Sequence, residues 1–321
     1  MKYAVGVDVG GTNIVCGLVD EDGNIVAQRK YPTDSQEGHQ AILSKISATI
    51  EQLIEEAGIA SEQCVAVGMG IPGLVDPEQG VSLRAVNLNW RNIPIAGRLK
   101  ELTGRSVYID NDVRMYVYGE AVAGGGRGHE FVYGVTIGTG LASAFVQHGS
   151  LHYGHRFMSG EIGHVPIENV DFPCNCGRIG CLETVVSATG IARQARSRIT
   201  KGEASLLQEW FPDIADITAS GVSRASDAGD ILARDVLAQT GKTFARALAW
   251  VVPLLSPDAI VIGGGGALAG EALFAPMRQE LDDLLLQDYL GQFVIKTAEL
   301  NDHAGIVGSA LWALKRSGSN D

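Results

Sequence analysis

Residues 161–183 (EIGHVPIENVDFPCNCGRIGCLE) hold an acid, a histidine, three cysteines and a second acid in one loop-rich passage. His164, Cys174, Cys176 and Cys181 supply one imidazole and three thiolates, the donor set of a tetrahedral zinc with no position left open for water. A closed site of this kind is structural. The Cys-x-Cys-x4-Cys spacing, with Gly177 and Gly180 for tight turns, fits a metal knuckle; ordinary buried thiols and a disulfide are the duller readings. Glu161 and Glu183 flank the ligands without an evident part in holding zinc. The metal is therefore expected to order a loop whose carboxylates, with the second nitrogen of His164, face a polar ligand.

A second chemistry is spelled by glycine and threonine. Asp8 closes an apolar stretch, and Gly10, Gly11, Thr12 and Asn13 follow, where backbone N–H groups and a hydroxyl can approach an anion closely. A plain hairpin turn is the alternative. The plan recurs at 131 as FVYGVTIG, with Thr136 before the turn Gly138-Thr139-Gly140, and then LASAFVQHG. Two copies in one chain suggest duplicated α/β domains, each presenting a phosphate-grasping hairpin to a common cleft. Gly263, Gly264, Gly265 and Gly266 follow the apolar run 259–262 and precede a helix from about 271, so their backbone suits the underside of a nucleotide. A dinucleotide fingerprint is the weaker reading, because the usual first strand-to-helix turn is missing.

The elements that must position these residues read as α/β. Strands at 3–9, 14–20 and 25–30 form an antiparallel meander, and an amphipathic helix covers 37–57. A buried strand at 64–70 enters GIPGLVD, which places Gly73 at a sheet's carboxyl edge, and Asn87 lies in the next connection. A helix near 94–103 and a strand at 106–110 lead to Asn111 and Asp112 at a helix entrance, where Asp112 also reads as a simple N-cap. Residues 187–256 are mostly helical, with a long helix at 231–256 ending at Pro257. Its stripe of Ile231, Val236, Leu237, Phe244, Leu248 and Val252 suits a core or a dimer face. A final apolar helix at 304–316 is expected to return to the first domain, with a frayed tail over 316–321. The expected domains are 1–115 with 301–321, and 116–300.

Composition excludes several classes. The chain has 321 residues, 45% apolar, with 41 glycines and a formal net charge of -12. That acidity argues against nucleic acid as partner, since phosphate-backbone affinity needs clustered Lys and Arg. MKYAVGVDVGG passes directly into an alternating strand, so neither a signal peptide nor a membrane span is expected, and the expected address is cytoplasmic. Cys16 and Cys64 sit in apolar runs, in keeping with a reducing compartment.

Together, Asp8-x-Gly-Gly-Thr, Asn111-Asp112, Thr136-Ile-Gly-Thr-Gly, Glu161-x-Gly-His164 and Cys174-x-Cys176-Gly-x-x-Gly-Cys181-x-Glu183 resemble the ROK family of sugar kinases, repressors and open reading frames. The resemblance covers nearly the whole chain. It implies an actin-like, hexokinase-like pair of α/β domains closing on ATP and a hexose in the cleft between them. Asp8 to Asn13, Thr136 to Gly140 and Gly263 to Gly266 would surround the nucleotide, with magnesium bridging its phosphates. Asn111, Asp112, Glu161, His164 and Glu183 would bind sugar hydroxyls, with Gly73 and Asn87 lining the same pocket, Asp112 as catalytic base, and His164 shared between zinc and sugar. The pattern is most like that of the bacterial glucokinases in the family, which puts glucose and glycolysis first; N-acetylmannosamine, N-acetylglucosamine, fructose and allose are the alternatives. A homodimer or dimer of dimers is expected. A sugar-responsive regulator is the reading from a different class, disfavoured by an acidic chain whose fold starts at residue 3 with no helix-turn-helix ahead of it. An actin-like ATPase is a third, and it needs no zinc-ordered loop of carboxylates. One position departs from the pattern: where the family usually continues Asn-Asp-x-Asn, this chain reads Asn111-Asp112-Val113-Arg114. Arg114 either alters substrate choice or pairs with an acid on the helix surface.

Overall fold

The computed structural model describes residues 1–318. The chain opens with β1 (Tyr3–Val9), β2 (Asn13–Asp20) and β3 (Ile25–Pro32), then α1 (Gly38–Glu56) and β4 (Cys64–Ile71). Three short strands follow, β5 (Leu74–Asp76), β6 (Val81–Ala85) and β7 (Trp90–Ile93). Next come α2 (Ile95–Thr103), β8 (Ser106–Asn111) and α3 (Asp112–Val122). Beyond them lie β9 (Phe131–Ile137), β10 (Leu141–Gln147) and β11 (Ser150–Leu151). The helical stretch comprises α4 (Glu183–Val186), α5 (Ala188–Thr200), α6 (Leu207–Trp210), α7 (Ala219–Asp227) and α8 (Ile231–Leu255). It is followed by β12 (Ala259–Gly263), α9 (Glu271–Leu284), β13 (Val294–Thr297) and α10 (Ala304–Gly318).

Two five-stranded sheets share one plan. The first has the order β3-β2-β1-β4-β8 and the second β11-β10-β9-β12-β13. In the first, β1 runs antiparallel to β2 and parallel to β4, and β8 continues the parallel side. In the second, β12 runs parallel to both β9 and β13, and β10 pairs antiparallel with β11. The repeated glycine hairpins seen in the sequence thus reflect a repeated topology. A separate antiparallel sheet, β5-β6-β7, carries the connection in which Asn87 lies.

The chain divides into two compact units, 1–130 with 144–159 and 299–321, and 131–143 with 160–298. In the first unit, alternation along β1 sorts side chains by face. Val5 and Val7 join Ile42, Ile46, Ile50 and Leu53 of α1 in a dry core, and Ala4 joins Ala66, Ala310 and Ala313 on the opposite face. That second face must be small because α10 lies directly on the strands: a Cβ at Gly6 would run into the Ile306 carbonyl, and one at Gly68 into that of Ser309. The last helix thus packs backbone-close on β1 and β4. Residues 316–318, expected to fray, continue α10; 319–321 lie outside the described residues. Glu120 on α3 ties the start of the same return, its carboxylate accepting the N–H groups of Gly125, Glu299, Leu300 and Asn301 at 2.8–3.0 Å.

In the second unit α8 buries Leu232, Val236, Leu237, Phe244, Leu248 and Val252, packed against α9. Ile231 does not join that stripe: as the first helical residue it is 83% exposed. The helix also passes through Pro253 and stops at Leu255, with Ser256 in the left-handed region, so the stop precedes the proline expected to cause it. Among the described residues, no helix is long and apolar enough to cross a membrane.

Candidate active site and metal centre

The first unit gathers Asp8, the Gly10–Asn13 turn, Gly73, Asn87, Asn111 and Asp112 at the carboxyl ends of its parallel strands. The turn is closed by Gly10 N–H on the Asn13 carbonyl at 2.9 Å. Thr33, just beyond β3, braces it twice: its hydroxyl donates to the Gly10 carbonyl at 2.7 Å and its N–H to that of Thr12 at 2.9 Å. Gly11 and Thr12 are left exposed at the tip, and a Cβ on Gly11 would lie 3.2 Å from that of Asn87.

The N-cap of α3 is Asn111, whose Oδ1 accepts the Arg114 N–H at 3.1 Å. This corrects the reading of Asp112 as a cap. Asp112 is the first helical residue, and the Asn111 amide holds its carboxylate from the side, donating to Oδ1 at 3.0 Å while also donating to the Gly73 carbonyl at 3.0 Å. Gly73 is needed there, at φ 89° with its Cβ position blocked by the Arg84 carbonyl. Gly73 and Asn87 line one pocket of about 310 Å³ with Pro72, Leu74, Arg84 and Val86. Burial pushes the Asp112 carboxyl up, opposed by the Val113 N–H, its own N–H, Arg114 and Asn111. Asp8 is lifted to about 7, first by burial and then by the charge of Asp112.

Arg114 pairs with an acid, as one reading expected, though inside the protein: Nε donates at 2.5 Å to Oδ1 of Asp110, which is fully buried at the end of β8. A buried ion pair needs its remaining lone pairs met, and the other Asp110 oxygen accepts from the Tyr153 hydroxyl at 2.7 Å. Asp110, Tyr153 and Thr33 were missed from the sequence. Only the i, i+4 spacing of Asp110 and Arg114 across the helix start hinted at the pair.

In the second unit, the Thr136–Gly140 turn is closed by Gly138 N–H on the Gly140 carbonyl at 2.9 Å, and Thr139 stays exposed at its tip. The Thr136 hydroxyl turns back to the Ala142 carbonyl at 3.5 Å. Beside this turn Gly264 sits at φ 83° against the Ile137 carbonyl. Of the four consecutive glycines, Gly263 and Gly266 are buried and Gly265 is exposed, so the last is the one whose backbone is open to a ligand. Glu183 is tied to the same turn: one oxygen accepts the Leu141 N–H at 2.9 Å and the other lies 3.7 Å from the Cys174 sulfur. Glu161 is the freer acid, with its Oε2 3.8 Å from His164 Nε2.

The knuckle brings its four expected ligands together. Ligand atoms of His164, Cys174, Cys176 and Cys181 all lie within 4.8 Å of one another. Bridges Pro166↔Cys181 and Pro173↔Ile179 shape the loop, and Gly177 and Gly180 take positive φ as their spacing required. Zinc–sulfur bonds of about 2.3 Å at tetrahedral angles put two thiolates about 3.8 Å apart. Cys176 and Cys181 sulfurs stand 3.6 Å apart, and Cys174 sulfur stands 3.8 Å from His164 Nδ1, so the spacing fits that ion. The donor chemistry agrees. Burial pushes the Cys181 thiol up to about 12, while backbone and side-chain bonds from Arg178 hold Cys176 down at about 6. A divalent cation would supply the charge that keeps all three sulfurs ionised. His164 presents Nδ1 to the sulfurs and Nε2 to Glu161.

The chain is similar to known proteins along nearly its whole length. A glucokinase of Thermotoga maritima is 34% identical over 315 residues, 98% of each chain. A solved structure titled a ROK family glucokinase from Streptomyces griseus in complex with glucose and AMPPNP is 30% identical, with a TM-score of 0.80 over 98% of this chain and 99% of that one. A xylose repressor of Caldicellulosiruptor bescii is 25% identical over 95% of this chain and 76% of its own length. The model of the ROK family matches residues 4–316, and the chain belongs to that family.

Proposed function

We propose that the protein transfers the γ-phosphoryl group of ATP to a hexose, glucose first, giving glucose 6-phosphate and ADP. The observation that carries this reading is the Asp112 carboxylate, raised by burial, steered by the Asn111 amide and set at the first turn of α3. Phosphoryl transfer asks the protein mostly to position reactants and stabilise charge, yet the attacking hydroxyl must lose its proton. Asp112 takes the proton of the sugar's 6-hydroxyl as that oxygen bonds to phosphorus and the bond to the ADP oxygen breaks.

Asn111, Glu161, His164 Nε2 and Glu183 accept or donate to the remaining hydroxyls, with Gly73 and Asn87 along the sugar. Asp8, the Gly10–Asn13 turn, Thr136, the Gly138–Gly140 turn and Gly263 to Gly266 receive the nucleotide; magnesium would neutralise charge on its phosphates. His164, Cys174, Cys176 and Cys181 would hold a structural zinc, which with no open position supplies order and not catalysis. The likeness to the Thermotoga maritima and Streptomyces griseus glucokinases supports glucose over the N-acetylhexosamines, fructose and allose. The likeness to a repressor supports a second reading, a sugar-responsive regulator.

One experiment separates them: hexoses and N-acetylhexosamines are tested with ATP and magnesium in a coupled ADP-release assay, ranked by kcat/KM. Glucose is expected at the head of the panel. Sugar binding without ADP release from any member overturns the kinase reading and favours the regulator.

A further inference from the structure

Arg114 is 5% exposed, two residues beyond Asp112 on α3. The first turn of a helix favours anions, so a guanidinium buried there needs strong compensation. It receives it from two sides. Besides the Asp110 bond, Nη1 donates to the Phe157 carbonyl at 3.1 Å, and the guanidinium lies 5.4 Å from the Tyr153 ring centroid. Asp110 Oδ1 accepts both Arg114 Nε and the Asn111 N–H, the latter at 2.7 Å, so the pair brackets Asn111 and Asp112. Nη2 is buried without a hydrogen-bond partner, an arrangement that stability alone would not select.

The segment that Arg114 holds is strained. Arg156 lies at φ 54°, ψ 31° and Phe157 at φ 60°, both left-handed, and a bulky residue there persists only where its surroundings over-determine it. The surroundings are the clamp itself: Tyr153 is tied through its hydroxyl to Asp110 and Phe157 through its carbonyl to Arg114. Arg156, between them, is exposed.

We propose that Arg114 is a positioning residue which, through Asp110 and the Phe157 carbonyl, locks residues 153–157 beside Asp112 and fixes the orientation of that base. The role rests on the kinase reading above and is distinct from stabilising the fold. Lysine cannot take it over, because a single ammonium does not present two donors in a fixed fork.

The test uses Arg114→Lys, Arg114→Met and Tyr153→Phe in the full chain, with steady-state kinetics on ATP and glucose and with trypsin cleavage after Arg156. Both Arg114 variants are expected to lose about tenfold or more in kcat with KM for ATP nearly unchanged, and lysine is expected to give no rescue. Tyr153→Phe should shift in the same direction by less. Leaving Asp110 buried and unpaired should lower Tm in Arg114→Met, and cleavage after Arg156 is expected to quicken in both Arg114 variants by about tenfold or more beyond what the change in Tm accounts for. Parental kcat and parental cleavage in Arg114→Lys overturn the proposal, as do losses that follow Tm alone. A parent that phosphorylates no hexose defeats the kinase reading separately, and the cleavage rates then still decide whether Arg114 locks the segment.

Discussion

Asp8, at the end of β1, titrates under the influence of Asp112, at the start of α3: burial lifts Asp8 to about 7, and the charge of Asp112 is the second cause. Asp112 is itself pushed up by burial. A base works only when deprotonated, and burial raises the Asp112 carboxyl, so kcat is expected to begin falling at a pH above the range near 4 of an exposed carboxylate. A kcat profile that stays flat down to about pH 5 would show that neither carboxyl carries a raised value. The same shift bears on stability. A folded-state value above the unfolded one means a contribution fully present below about 3.8 and lost as pH rises through about 7. Asp8→Asn should therefore raise Tm more at about pH 8 than at about pH 5; thermal scans at both checks the sign.

Asp112→Asn tests the base assignment. Asn111 already caps α3 and asparagine caps about as well as aspartate, so the variant should keep its Tm. The base assignment predicts a loss of roughly a hundredfold or more in kcat, with sugar affinity altered far less. Retention of kcat within a few-fold would transfer the role to another group. Asn111→Ala is the complementary change: it removes the cap and the tie to Gly73 together, and should cost about 1–2 kcal/mol of stability, read from denaturant unfolding.

Glu120→Gln probes the return of the chain to the first unit. Its carboxylate accepts four backbone N–H groups while 1% exposed, and the amide would turn a donor toward donors. A loss of about 3 kcal/mol is expected in urea unfolding, with zinc content unchanged. A midpoint equal to the parent's would mean that those N–H groups find water as readily.

What the sequence made legible was local. The hairpins after Asp8 and around Thr139 could be read because alternation and turn residues are set within a few positions, and their repetition pointed to two similar sheets. The knuckle ligands were legible for the same reason: four donor side chains within 18 residues admit few folds that keep them apart. Asp112 read as the cap of α3, and only geometry showed that Asn111 takes that place. Arg114 could be flagged as a departure, but its partners Tyr153 and Phe157 lie about forty residues away and the face it turns to is a tertiary fact. Glu120 was invisible, since three of its four partners are about 180 residues off. Ile231 misled because periodicity places a residue on a stripe without saying that the first turn of α8 projects beyond the layer that covers it.

Cys176→Ser tests the metal centre with the least disturbance to packing, because Cys176 is the exposed member of the four while Cys174 and Cys181 are buried. One zinc per chain is expected in the parent by elemental analysis, and a large loss in the variant. The sugar affinity should fall with it. His164 links the two properties through opposite ring nitrogens, Nδ1 toward the sulfurs and Nε2 toward Glu161, so loosening the knuckle frees the ring that orients the acid. Glu183 gives a second connection, since its oxygens reach both the Cys174 sulfur and the Leu141 N–H beside the Gly138–Gly140 turn. A fall of about tenfold to a hundredfold in metal affinity or activity is the usual scale for disturbing such a linked shell. Strong chelation of the parent should reproduce the variant, and zinc returned to the chelated parent should restore sugar binding, since metal binding and loop folding are one equilibrium. Full sugar binding by a zinc-free parent would uncouple the knuckle from the sugar loop and leave the four ligands with a role in stability alone.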